Sequence, residues 1–331
     1  MNHPAMDVFR KLWPKDFLNT EVYEESVLYP QAKFASMGVT SFQDNYARDL
    51  ERVQAYYNVA KRGEMTIRGQ VMNVLEYIQE LDGRIEALNA MRYESDYMHF
   101  GGGKFQVDGA LEASYTHEPH NGIAWNITIW KPKDLNEAVK AFHDAGYQVA
   151  LHTGGDAAVD MALDAIENAM NKNTRPDPRH RIEHSVLNTD KALQRTKDLG
   201  VVISTQPTII RAFGDAIERI WGEERAQRIL PTRTWLDMGV PLALSSDAPS
   251  MPWWDPQSTL FASIVRVTWS KKPVSQEQAL TIDEATMRIP WVRLMPILRR
   301  TRRAPWNPAS SLIWWCGMMT RSPSPRRISS S

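Results

Sequence analysis

One cysteine, Cys316, stands in the 331 residues, so no internal disulfide can form and no thiolate cluster can hold a metal. A dominant charge sign is lacking as well. The 39 lysines and arginines match 39 aspartates and glutamates, which leaves no net field to draw the chain to nucleic acid or to a membrane surface. No apolar run approaches the roughly 20 residues of a membrane span, and the opening MNHPAMDVFRK lacks the apolar stretch of a signal peptide. Neither G-x-x-x-x-G-K-[ST] nor G-x-G-x-x-G follows any strand pattern, which disfavours a doubly wound nucleotide-binding protein. These absences point to a cytoplasmic protein whose partner is a small molecule. Any metal must be held by His, Asp, Glu or a modified Lys.

What is present centres on residues 148–167, QVALHTGGDAAVDMALDAIE. The apolar run 149–151 stops at His152, crosses a small-residue turn, and enters a helix with apolar positions at Val159, Leu163 and Ile166. A strand, a tight turn and a crossover helix follow from that pattern. His152 then lies at the C-terminal mouth of a strand, where α/β sheets place their chemistry. Asp156 is expected to cap the following helix, with a second role in orienting His152.

The same alternation extends in both directions. Residues 1–37 read as an amphipathic helical lead-in broken by Pro14 and Pro30. Strands are expected at 39–42, 65–71, 101–109, 179–184, 201–206 and 241–247, and helices at 46–62, 74–91, 135–145, 190–198 and 223–238. The triple glycine 101–103 precedes a strand instead of opening a helix, which argues against a phosphate loop. Lys104 lies inside that strand, where a lysine must be paired or chemically altered; Asp108 is a nearby partner. Residues 110–130 show no periodicity and gather His117, His120 and Trp125, as a lid or binding loop would. In RHRIEH, alternation puts His180, Ile182 and His184 on one face and turns Arg181 and Glu183 the other way, so Glu183 is expected to pair with a basic residue on the outer helices. Trp253 and Trp254 either wall a pocket or pack over the mouth.

Three strand ends therefore carry His152, His184 and Asp247. Roughly thirty residues separate the two histidines, about one βα unit, and about two units lead on to Asp247, with an intervening strand that offers no ligand. Two imidazoles and a carboxylate suit Zn²⁺ or a similar divalent ion, which makes a nucleophile of bound water while the carboxylate moves the proton. The implied reaction is hydrolysis of an amide-like bond.

The stretches GVTSFQD, GGGKFQVDGAL, LHTGGDAAVDMALDAIE, RHRIEH, GVVISTQP and LALSSDAPS together resemble the amidohydrolase superfamily, specifically its amidohydrolase 3 group. The resemblance implies a TIM (β/α)₈ barrel of the metal-dependent hydrolase type holding one or two divalent ions. It makes His152 and His184 metal ligands, and Asp247 both ligand and proton shuttle. It places Lys104 where many relatives carry a carboxylated, metal-bridging lysine. The superfamily's first strand ends in a His-x-His pair, and no H-x-H occurs in this sequence. The expected barrel is accordingly incomplete: strands two to eight over 38–286, without the first strand and most of the small β-domain, as if truncated at the N-terminus. Unpaired sheet edges would then invite association with another chain, so a homo-oligomer is compatible with the reading. Residues 287–331 turn rich in Arg, Pro, Ser and Trp, and end SPSPRRISSS. Read one nucleotide earlier, permitted codons for 306–317 spell Leu-Glu-Pro-Gly-Lys-Leu-Ala-Asp-Leu-Val-Val-Trp, similar to the superfamily's return to its β-domain. That suggests a disordered tail born of a frameshift. The alternative to an active hydrolase is a non-catalytic remnant that binds metal weakly or not at all.

Overall fold

The computed structural model describes residues 19–119 and 127–289, all within one compact unit, Met1–Ile297. His120, Trp125 and the sequence after 289, including Cys316 and the expected tail, lie outside the described residues.

Among the described residues seven strands, β1 (Ser41–Ala47), β2 (Arg68–Leu75), β3 (Met98–Gln106), β4 (Gln148–Thr153), β5 (Arg181–His184), β6 (Val202–Thr205) and β7 (Leu242–Leu244), form one sheet in chain order. Every neighbouring pair is parallel. Helices α1 (Thr20–Ser36), α2 (Leu50–Lys61), α3 (Arg84–Met91), α4 (Pro132–Asp144), α5 (Asp156–Lys172), α6 (Asp190–Asp198), α7 (Thr208–Trp221), α8 (Glu223–Ala226), α9 (Thr232–Asp237), α10 (Pro256–Val265) and α11 (Ile282–Thr286) lie between and around them. This is the (β/α) plan of a TIM barrel left open, because β1 and β7 do not pair with each other.

The curl is visible in a single side chain. A flat sheet would put β5 about 19 Å from β1, at about 4.8 Å per strand. Yet the Arg181 guanidinium on β5 donates to Gln43 Oε1 and, at 2.9 Å, to Asn45 Oδ1, both on β1. Only a strongly curved sheet brings those strands within one arginine's reach.

The convex face is apolar and follows simple periodicity. Val149 and Leu151 of β4, Ile182 of β5 and Ile203 of β6 belong to the main core, together with Leu135, Ala138, Val139 and Phe142 of α4 and the alanine-rich face of α5. Spacing of three and four residues lines the α4 positions along one helix stripe. Phe105 meets Trp130 and Phe142 edge-on at 5.6 Å each, the geometry that aromatic quadrupoles favour.

The structure also revises the expected elements. β1 runs on to Ala47, so α2 begins later than position 46, and the 74–91 segment opens as the end of β2 before a short turn and α3. The helix expected at 223–238 is two pieces, α8 and α9, because Pro231 stands at the start of the second and cannot continue the first. Helix α7 was not anticipated at all, although its apolar stripe Ile209, Ile210 and Ile217 has helical spacing.

Candidate active site

Parity decides which side chains enter the concave face, and backbone irregularities twice reverse it. On β3, Met98 and Phe100 face the convex core, and so do Phe105 and Val107, which are of opposite parity. The switch occurs in the triple glycine, where the β2 register slips between Val71 opposite Phe100 and Met72 opposite Gly102. Gly102 has φ 128°, and a Cβ there would lie 2.0 Å from the Gln148 carbonyl oxygen, so only glycine fits. This bulge is what turns Lys104 inward, where it is 5% exposed.

On β5 the expected faces are corrected. Arg181 and Glu183 point into the concave interior, 0% and 2% exposed, and are ion-paired through Arg181 Nε and Glu183 Oε1. Glu183 does not reach the outer helices. His180 and Ile182 face outward: His180 bonds His143 of α4, and Ile182 joins the convex core. His184 should have followed them, but its backbone is left-handed (φ 66°), as is that of Ser185 (φ 49°). That turn swings the His184 ring back to the mouth, 4.4 Å from the His152 ring between centroids, at 68°. His152 itself needs no irregularity, since Ala150 and His152 share the concave parity. Asp247, past the end of β7, is also left-handed (φ 52°).

The four expected residues are thus gathered on one side of the sheet. Burial raises the Asp247 carboxyl above its ordinary range, while His184 and Lys104 pull it down and Glu183 adds to the rise. Burial likewise lowers the Lys104 ammonium to about 8, with Glu183 the strongest opposing charge, ahead of Asp247 and Asp108. Glu183, more than Asp108, is therefore the counter-charge of Lys104.

Two residues of the site were not foreseen as such. Gln206, at the end of β6, accepts a hydrogen bond from His184 Nδ1 at 2.6 Å and donates to Ser245 Oγ at 2.8 Å. With Nδ1 carrying the proton, His184 Nε2 keeps its lone pair toward the mouth. The strand that seemed to contribute no ligand instead orients one, and its strand-end glutamine was the available signal. Asp108 is the second. Its buried carboxylate accepts from the backbone N–H of Tyr115, Gly154 and Gly155 at 2.8–2.9 Å and lies 3.8 Å from His152 Nε2. Burial pushes it up to about 7 against the three donors. The neighbour expected for His152 was Asp156, but Asp156 binds the His117 and Ala157 amides instead. His117 lies away from the mouth, half exposed, with Nε2 2.8 Å from Asp160.

Two imidazoles, one with its tautomer already set, and a carboxylate form a donor set whose chemistry suits a divalent cation. Among the described residues, no three His, Cys, Asp or Glu side chains stand close enough together to enclose one. Nor is any helix among them long and apolar enough to cross a membrane.

Comparison with known proteins bears on the family and the fold. The model of a family described as "Amidohydrolase family" matches residues 1–286. N-substituted formamide deformylase of Arthrobacter pascens is 26% identical over 207 residues, 61% of this chain and 38% of that protein. The putative amidohydrolase YtcJ of Bacillus subtilis (strain 168) is 26% identical over 208 residues, 60% of this chain and 37% of that protein. The crystal structure of an uncharacterized metal-dependent hydrolase from Pyrococcus furiosus superposes with a TM-score of 0.72 at 26% identity, covering 87% of this chain and 58% of that one. The chain thus spans well under half the length of the curated relatives it matches.

Proposed function

The chain belongs to the amidohydrolase family, and from that premise we propose that it is a metal-dependent hydrolase of carbon–nitrogen bonds other than peptide bonds, acting on a small amide or formamide-like molecule in the cytoplasm. The observation that carries the reading is the meeting of His152 and His184 at one mouth with Asp247 charge-coupled to His184. His152, His184 and Asp247 would hold the ion, for which zinc suits the nitrogen and oxygen donors. When bound, such an ion lowers the pKa of water to about 7 and polarises a carbonyl. Lys104 could join them only once carboxylated, since an ammonium offers no lone pair.

The protein's own groups do the rest. Gln206 holds the His184 ring in one tautomer and one orientation. Asp247, its carboxyl raised by burial, is suited to take a proton from the attacking water and return it to the leaving nitrogen. Glu183 and Arg181 keep the floor of the site charged and fixed beneath it.

Metal analysis of the purified chain, with and without His184→Ala, and assay on N-formyl, N-acyl and cyclic amides test the reading. Bound zinc that falls in the variant, with metal-dependent turnover of one of the amides, is the expected result. Absence of bound metal in the unmodified chain would overturn it. The second reading is a non-catalytic relative, and one observation favours it: no three ligand groups converge among the described residues.

A further inference from the structure

On the helix that follows the C-terminal end of β6, an arginine is held in an aromatic frame. Arg211 lies in the first turn of α7, just beyond Gln206, which orients His184. Its guanidinium carbon sits 5.1 Å from the Trp253 ring centre, 5.2 Å from Trp269 and 5.5 Å from Phe261. Trp253 and Trp269 stack on each other at 5.0 Å and 16°. Trp253 comes from the turn-rich run that follows Asp247, so the frame is tethered to the site on both sides.

The frame is built firmly. Gly214 lets α7 lie directly against Thr268, since a Cβ there would come within 2.7 Å of Thr268 Cγ2. Asp215 then accepts from Ser270 N and Oγ, and Lys272 pairs with Glu218. These contacts commit the nearby carboxylates to other partners. Among the described residues, no carboxylate accepts a hydrogen bond from Arg211. Three rings lie within 5.5 Å of its guanidinium carbon, its N–H groups have no hydrogen-bond acceptor among the described residues, and Trp269 and Phe261 keep 61% and 43% of their surface exposed.

A guanidinium in that state presents a planar fork matched to a carboxylate, with ring faces beside it for a flat group. It offers a single positive charge that no carboxylate pairs among the described residues, with Asp215 and Glu218 on the same helix, and so suits a monoanion better than a phosphate dianion. We propose that Arg211, Trp253, Trp269 and Phe261 form a subsite for a carboxylate attached to an aromatic group, so that the amide hydrolysed at His152 and His184 is an aryl-bearing, acidic one. The substrate assignment rests on the hydrolase reading above; the binding subsite does not.

Calorimetric titration of the full chain, stripped of metal with chelator so that nothing is turned over, tests it directly. The probes are hippurate and its uncharged counterpart N-benzoylglycinamide. Hippurate should bind the unmodified chain about tenfold or more tighter than the neutral amide. Arg211→Gln should remove that preference, and Arg211→Lys should restore only part of it, with circular dichroism confirming the fold of each. Equal binding of the two probes, no binding of hippurate at millimolar concentration, or an unchanged preference in Arg211→Gln would overturn the subsite. If Arg211→Gln does not fold, the comparison of probes on the unmodified chain decides alone. His184→Ala should keep the hippurate preference while losing metal-dependent hydrolysis. Loss of all amide turnover with the preference intact therefore counts against the hydrolase reading and not against the subsite.

Discussion

The two faces of the curved sheet obey different rules. The convex face is filled by Val149, Leu151, Ile182, Ile203 and Phe142, each where strand alternation or helical spacing sends it, and by Phe105 past the glycine bulge. The concave face holds Gln43, Asn45, Gln70, Lys104, Arg181 and Glu183; hydrogen bonds across strands join Gln43 to Gln70 and Arg181 to Gln43 and Asn45, and an ion pair within β5 joins Arg181 to Glu183. A TIM barrel interior is ordinarily packed with Val, Ile and Leu. Here hydrophobic burial on one face supplies the stability, and the other face spends some of it on charge held in place.

Substitutions can break that contrast, and the largest effects come first. Arg181→Ala breaks the buried ion pair, leaves Lys104 as the one counter-charge described for Glu183 and takes the donor from Gln43 and Asn45, so a loss of up to about 3–5 kcal/mol is expected in urea unfolding, similar to the loss from Phe142→Ala on the convex face. The two are told apart by repair. Arg181→Met and Glu183→Leu combined with Lys104→Met should recover most of the first loss, because apolar side chains of similar volume then replace the whole buried charge group. No recovery would mean that the charged floor itself carries the fold.

Acid should attack the convex side. His180 is 1% exposed, and its Nδ1 accepts from Val149 N–H, so the proton sits on Nε2 facing His143 Nδ1, while His143 Nε2 donates to the Asn173 carbonyl at 2.6 Å. Burial, with His143 and Arg175 adding, lowers His180 to about 3 from 6.5. Between those values the unfolded chain binds a proton that the folded chain refuses. The contribution is whole above pH 6.5 and declines as pH falls toward 3, by up to about 1.4 kcal/mol per pH unit. Unfolding midpoints measured from pH 7.5 to 4.5 should show this slope, and His180→Gln should flatten it.

The smallest effect belongs to the mouth. Asp247→Asn removes a buried carboxylate already pushed up by burial, so the melting temperature should hold or rise by a few degrees while any hydrolysis disappears. A marked loss of stability would make Asp247 a structural residue.

These two faces also explain what could be read in the sequence. All seven strands and their order were legible, because convex-face residues recur with the period of the element that carries them. His152 was legible for the same reason. Lys104 and His184 stand out in the sequence by residue type and place, but their side chains reach the mouth through a glycine bulge and a left-handed turn that alternation does not encode. Arg181 and Glu183 were assigned outward because that rule was applied through His184, where the backbone departs from it. Asp108 and Gln206 act on the histidines from other strands, and a pairing between distant strands leaves no local pattern in the chain.

Arg181 has a mechanical side too. Spanning the interior from β5 to β1, it works as a tie-rod whose length is that of one arginine, and the curvature of the sheet is tuned to it. Lysine at 181 would bring one head group in place of a fork and could hold Gln43 or Asn45, not both. The sheet would then be free to flatten, and the span between the rims carrying His152 and Asp247 would become a matter of elasticity instead of bonding.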